Sequence, residues 1–158
     1  MLRLDKKGQR SKEETAKLAV NEEETVINLF MAREGTIDLA DSWIIDLGTT
    51  SPMTARKEWI TEYTSFDMPI PIGLGDNRTI KALGSGSVQI SMDVNGKSNI
   101  YELRNVYYVP DMVTNNLLSV TYMVNKGYFV SFGAHKCEIT RSGNLIGKAE
   151  KQRNLWIL

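Results

Sequence analysis

Cysteine and histidine are almost missing from this chain: Cys137 and His135 are single occurrences in 158 residues. One cysteine excludes an internal disulfide framework, and one cysteine with one histidine excludes a zinc finger or knuckle. A reducing setting, intracellular and cytoplasmic, is the default expectation. Charge of either sign is also not in excess, because 19 Lys and Arg balance 19 Asp and Glu. That balance gives no sign of a nucleic-acid or anionic-membrane partner. No apolar run approaches the ~20 residues that span a bilayer, and the charged start has no apolar signal core.

What is present divides at about residue 38. Residues 1–38 open with Arg3, Lys6, Lys7, Arg10 and Lys12 and continue through an acidic stretch. Ser11 to Glu14 fits a capping box, and Val26, Ile27, Leu29, Phe30 and Met31 fall at roughly helical spacing before Gly35. The reading is a flexible or partly helical linker, with a partner-binding amphipathic helix as the alternative.

Residues 39–158 change to short β-like runs separated by turn residues. Trp43-Ile44-Ile45 reads as a buried strand that delivers Asp46 into a turn at Gly48, followed by Thr49, Thr50 and Ser51. Asp46 is either a plain turn residue or an acid–base group. The stretch from Thr54 to Glu62 is ambiguous, with Trp59 and Ile60 expected to pack inward. Pro69 and Pro71 exclude a central strand there, since proline has no ladder donor. Gly73, Leu74, Gly75, Asp76 and Asn77 form a glycine-rich tip, and Thr79 to Leu83 pairs back from it. A phosphate-loop reading of those glycines fails, because no Gly-Lys-Ser/Thr and no helical pattern follow.

Further on, Val88 to Met92 alternates, Asn95-Gly96 signals a two-residue hairpin, and Val106 to Val109 stops at Pro110. Asn115 or Asn116 is the expected cap of one short helix running through Leu117, Leu118, Val120 and Met123 to Gly127. Tyr128 to Phe132, Cys137 to Thr140, a turn at Ser142-Gly143-Asn144 and a closing Leu155-Trp156-Ile157-Leu158 complete the pattern. Many short strands with one helix argue an all-β fold, a small closed barrel or a sandwich.

Several segments taken together resemble one family. They are Trp43-Ile44-Ile45-Asp46-x-Gly48 with Met53-Thr54, Leu74-Gly75-Asp76, Asn105 to Asp111, Asn116 to Val120, and Asn154-Leu155-Trp156-x-Leu158. In order and spacing, residues 42–158 resemble the aspartic-protease-like β-barrel of copia-type retrotransposon Gag-Pol polyproteins. The resemblance implies a closed, retropepsin-like acid-protease barrel that works as a homodimer without metal or organic cofactor. Each chain would contribute Asp46 to a two-carboxylate site, supported by Gly48 and Thr49. Two carboxyls that share a proton can split the general-base and general-acid roles in peptide hydrolysis. Residues 73–77 would be the flap over a polypeptide substrate, and Asn116 to Val120 a segment crossing beneath the Asp46 loop.

The chain also departs from the family pattern. Leu47 stands where a Ser or Thr would brace the paired loops, Thr49 where a small Ala or Ser is usual, and Pro52 where His is common. Losing a buried bracing bond costs about 0.5–1.5 kcal/mol, and loosened carboxylates lose rate steeply. The expected consequence is weak or absent peptidase activity, which leaves open a catalytically inactive dimerisation or peptide-binding module. A Ser/His/Asp triad through His135 finds no orienting partner or nucleophile elbow. Cys137 reads as a core residue, and Tyr101, Tyr107 and Tyr108 as packing aromatics.

Overall fold

The computed structural model describes residues 41–113 and 116–158. The expectations for residues 1–38 therefore lie outside the described residues, as does Asn115. Ten strands are present: β1 (Trp43–Asp46), β2 (Met53–Thr54), β3 (Thr61–Gly73), β4 (Thr79–Val94), β5 (Lys97–Tyr108), β6 (Asn116–Ser119), β7 (Phe129–Phe132), β8 (Lys136–Arg141), β9 (Asn144–Gln152) and β10 (Leu155–Ile157). A 3₁₀ turn, Lys57–Trp59, precedes β3, and one helix, α1 (Val120–Asn125), follows β6. The chain is all-β with one short helix.

The ten strands form one sheet in the order β3-β4-β5-β2-β6-β1-β10-β9-β8-β7. Its hydrogen-bonded order is open, so the expected closed barrel is not formed by strand pairing among the described residues. The two ends explain why. β3 contains Pro69 and Pro71, which supply no ladder donor, and β7 has only four residues. The sheet instead rolls until the faces of β4 and β9 meet. A Cβ on Gly147 of β9 would stand 2.7 Å from Met92 Sδ of β4, so a larger residue at this crossing would require the Met92 side chain to shift.

Two parallel pairings build the centre. β1 runs parallel to β6, with Asp46 opposite Ser119, and β2 runs parallel to β5. Every residue of β1 is buried, as its apolar sequence requires. In β4, Val88, Ile90 and Met92 point into the core while Gln89, Ser91 and Asp93 face outward. Leu118, Ile139 and Val106 are among the fully buried side chains of this core. Trp59 and Ile60 pack against it, as expected. Tyr101 also packs against this core, while Tyr107 and Tyr108 make edge contacts with Phe66 and Tyr63.

The turns follow local chemistry. Asn95-Gly96 and Ser142-Gly143 both have positive φ at each residue, which matches two-residue hairpins. Arg153-Asn154 does the same between β9 and β10. β4 is one 16-residue strand rather than two runs, because Gly84 and Gly86 let β3 pass close by. A Cβ at Gly84 would meet Thr64 O at 2.5 Å and Tyr63 Oη at 2.5 Å.

The helix begins later than the sequence pattern predicts. Asn116 to Ser119 is strand, and Ser119 is the cap, its Oγ accepting the Tyr122 N–H at 3.0 Å. Asn116 is unavailable for capping because its side chain is buried and bonded to Thr54 and Ser42. The end near Gly127 is as expected: its φ of +83° is the left-handed conformation that stops a helix.

Two outcomes test this packing. Gly84→Ala forces a methyl against a backbone carbonyl and is expected to lower unfolding free energy by about 1–3 kcal/mol in urea titration. Cys137 is fully buried, and desolvation, with the neighbouring Glu138 charge, pushes its thiol up to about 11. Ellman's reagent at pH 8 should therefore titrate no thiol until denaturant is added. Rapid labelling of the folded chain would contradict the packing.

Candidate active site

The Asp46 loop is built by the strand that precedes it. β1 ends at Asp46, and the chain turns so that the Gly48 N–H donates to Asp46 Oδ1 at 2.8 Å. The turn seen in the sequence is real, and it closes on the carboxylate itself. Asp46 is 7% exposed although it carries an ionisable group. Burial is the largest influence and raises its pKa above the ordinary 3.8; the Gly48 N–H and then the nearby Thr49 hydroxyl pull the other way. The Thr49 influence is weak, because Thr49 Oγ1 is buried and makes no bond of hydrogen-bonding geometry among the described residues.

Asp46, Gly48 and Thr49 are thus brought together. Leu47 lies between them and is half-exposed at 49%, so it crowds nothing within its own chain. The hydroxyl that braces this loop comes from elsewhere: Ser119 Oγ donates to Thr49 O at 2.6 Å while capping α1. The expected crossing of residues 116–120 beneath the loop has this bond as its working part. Next to it, Thr54 Oγ1 donates to Asn116 Oδ1 at 2.6 Å, and Asn116 Nδ2 donates to Ser42 O at 3.0 Å. The Arg56 N–H donates to Thr54 Oγ1 at 2.9 Å. Sequence reading missed the roles of Ser119 and Thr54, because these bonds join residues 62 to 74 positions apart.

Gly73 to Asn77 form the tip of the β3–β4 hairpin. Residues 74–78 fall outside the compact unit that holds the sheet, and they bond among themselves. Leu74 N donates to Arg78 O at 2.8 Å, and Asn77 N to Leu74 O at 3.1 Å. Asp76 accepts the Arg78 N–H at 3.1 Å and pairs with its guanidinium at 2.5 Å. The Arg78 backbone N–H, then its side chain, holds the Asp76 carboxyl below the usual range. Asn77 takes φ +65°, a conformation that asparagine tolerates.

The remaining candidates do no chemistry that the geometry reveals. His135 is exposed between β7 and β8, and its imidazole makes no bond among the described residues. No group of three or more His, Cys, Asp or Glu side chains able to hold a metal comes together among the described residues.

A strand ending in a buried carboxylate, beside a parallel strand that braces its loop, lies within a segment that known sequences share. Residues 43–128, more than half the chain, match the Pol polyprotein β-barrel domain. The chain belongs to that family. No curated protein and no solved structure matches it. The match to the Pol β-barrel domain includes Asp46, β6 and α1, and stops just before β7. The strands β8, β9 and β10 that complete the sheet lie beyond the matched part.

The raised Asp46 pKa gives a signed prediction. Between 3.8 and the raised value the folded chain holds a proton that the unfolded chain has released. Stability on this account is highest below the ordinary pKa and falls as pH rises through the raised one. Asp46→Asn keeps an acceptor for Gly48 and removes the buried charge. Urea midpoints should show the variant at least as stable as the parent at pH 7, with the advantage shrinking toward pH 4. A loss larger at pH 7 than at pH 4 would show instead that the ionised carboxylate stabilises the loop.

Proposed function

We propose that this is the aspartic-peptidase-like domain of a copia-type Pol polyprotein, with the catalytic pair assembled from one Asp46 of each of two chains. The observation that carries this reading is the buried Asp46 carboxyl, hydrogen-bonded by the Gly48 N–H and biased toward its protonated form. Peptide hydrolysis by a carboxyl pair needs one partner protonated near neutral or mildly acid pH, and burial supplies that bias. The reading needs a second copy because this chain has one Asp-x-Gly-Thr element. The half-exposed Leu47, on the Asp46 loop, is surface that a second copy would cover.

In such a dimer one Asp46 would accept a proton from water while the other protonates the scissile amide. Extended polypeptide from the Gag-Pol precursor is the substrate class, with Gly73 to Asn77 as the flap. Neither metal nor organic cofactor takes part in the chemistry proposed. Leu47 tempers the activity: two apolar side chains would meet where the family places hydroxyls, and the carboxyls would be held less firmly. Leu47 also favours a second reading, an inactive module that dimerises or holds an extended peptide by strand addition.

The test is cleavage of a peptide spanning this domain's own N-terminal junction at about pH 5–6, with sedimentation run beside it. Asp46→Asn should abolish cutting, and Leu47→Ser should raise the parent's rate by about tenfold or more. Cutting that survives Asp46→Asn, or a strict monomer at tens of micromolar, would overturn the paired-carboxyl reading. Folded dimers that never cut, Leu47→Ser included, would establish the inactive module.

A further inference from the structure

A second place on the sheet has the makings of a binding site whether or not Asp46 is catalytic. A cavity of about 230 Å³ opens beside α1, with the buried side chains of Met92, Met123 and Ile139 as an apolar floor. Its rim is different in kind. Arg104, Lys126 and Arg141 line it together with Tyr122 and Tyr128, and Glu102 is its one carboxylate.

That carboxylate is already used. Arg104 Nε pairs with Glu102 Oε1 at 3.1 Å. Lys126 and Arg141 have no carboxylate within ion-pair distance among the described residues, and both side chains are exposed. Instead they lie against aromatic rings: Lys126 Nζ is 5.7 Å from the Tyr122 ring centre, and the Arg141 guanidinium 4.9 Å from that of Tyr128. Two cations thus border an apolar hollow without an anion to match them.

The tyrosines decide what kind of anion would fit. Tyr122 Oη accepts the Arg104 backbone N–H at 3.0 Å, and Tyr128 Oη accepts from Arg141 Nη1 at 3.2 Å. One face of each ring is covered by a cation and each hydroxyl is engaged. Bases of a single-stranded nucleic acid need open aromatic faces to stack on, and a balanced net charge offers no broad basic track. A carboxylate needs neither; it needs a guanidinium or ammonium at the edge of a desolvated pocket. The volume points the same way, being below the ~300–1,000 Å³ of sites that enclose a whole organic ligand. It suits a single side chain delivered by a larger partner.

We propose that this cavity is a docking site for an acidic peptide segment, with an apolar side chain seated on the Met123 and Ile139 floor and a neighbouring carboxylate answering Lys126 and Arg141. The partner is a polypeptide in which acidic and bulky apolar residues adjoin. Arg104 would join the recognition only if released from Glu102, so Glu102 acts as an internal competitor for that guanidinium.

The experiment is fluorescence anisotropy of the full chain with a labelled, acetylated peptide of alternating Glu and Leu. A Lys-and-Leu peptide and a single-stranded oligonucleotide serve as comparisons. The acidic peptide should bind saturably and weaken with added salt. Affinity should fall by on the order of tenfold in Lys126→Gln/Arg141→Gln, and rise several-fold in Glu102→Gln. These exposed substitutions should leave the thermal melt of the chain unchanged. Asp46→Asn should bind as the parent does, which separates this site from the peptidase reading. No saturable binding, equal affinity for the Lys-and-Leu peptide, or affinity untouched by the double substitution would overturn the proposal. Tighter binding of the oligonucleotide, lost in the double variant, would reassign the cavity to nucleic acid.

Discussion

Three side-chain hydrogen bonds hold together strands that the sequence keeps far apart. Thr54 to Asn116, Asn116 to Ser42, and Ser119 to Thr49 fasten β2, the approach to β1, and the Asp46 loop to β6. The Thr54–Asn116 bond is buried and the other two partly so, and removing one partner of the buried bond would leave the other unsatisfied at about 1–3 kcal/mol. Since β1 and β6 are parallel, no tight turn can set their register, and side-chain bonds are what specify it. The rest of the sheet extends from this fastening in both directions: β2, β5, β4 and β3 on one side, β10, β9, β8 and β7 on the other.

The site inherits its properties from that arrangement. Asp46 is buried because β1 is flanked by β6 and β10, and the loop after it is short because Gly48 can turn back on the carboxylate. Ser119 serves two ends at once, since one hydroxyl both fixes Thr49 O and caps α1. The turn of helix that it caps carries Tyr122 and Met123 to the second cavity. One hydroxyl therefore both braces the Asp46 loop and sets the start of the helix that lines the cavity.

Local chemistry was readable in advance, and long-range chemistry was not. The Asp46 turn, the Asn95-Gly96 and Ser142-Gly143 hairpins and the alternation of Val88 to Met92 each depend on neighbours a few residues away. The helix cap was misread because Asn116 has side-chain partners 62 and 74 positions distant, which no local pattern displays. Thr79 to Leu83 and Val88 to Met92 were read as two runs, yet Gly84 and Gly86 between them are where β3 presses against an unbroken β4. The prolines of β3 did mark a non-central strand, and they sit at the sheet's end. The open order of the sheet was beyond reach, because closure depends on which ends can pair and not on strand count. For the site, Asp46 and Gly48 were legible as a pair two residues apart, whereas the Ser119 brace and the cationic cavity unite residues scattered through the chain.

The position of β10 has a kinetic meaning. Leu155 to Ile157 is the last strand in the chain yet lies mid-sheet, between β1 and β9. A ribosome adding about 5–20 residues each second delivers β1 many seconds before the partner that covers its second edge. During that interval the Asp46 strand has a bare flank and its carboxylate remains wetter than in the finished sheet. Strand order therefore makes the surroundings of the Asp46 strand among the last features of the sheet to be set.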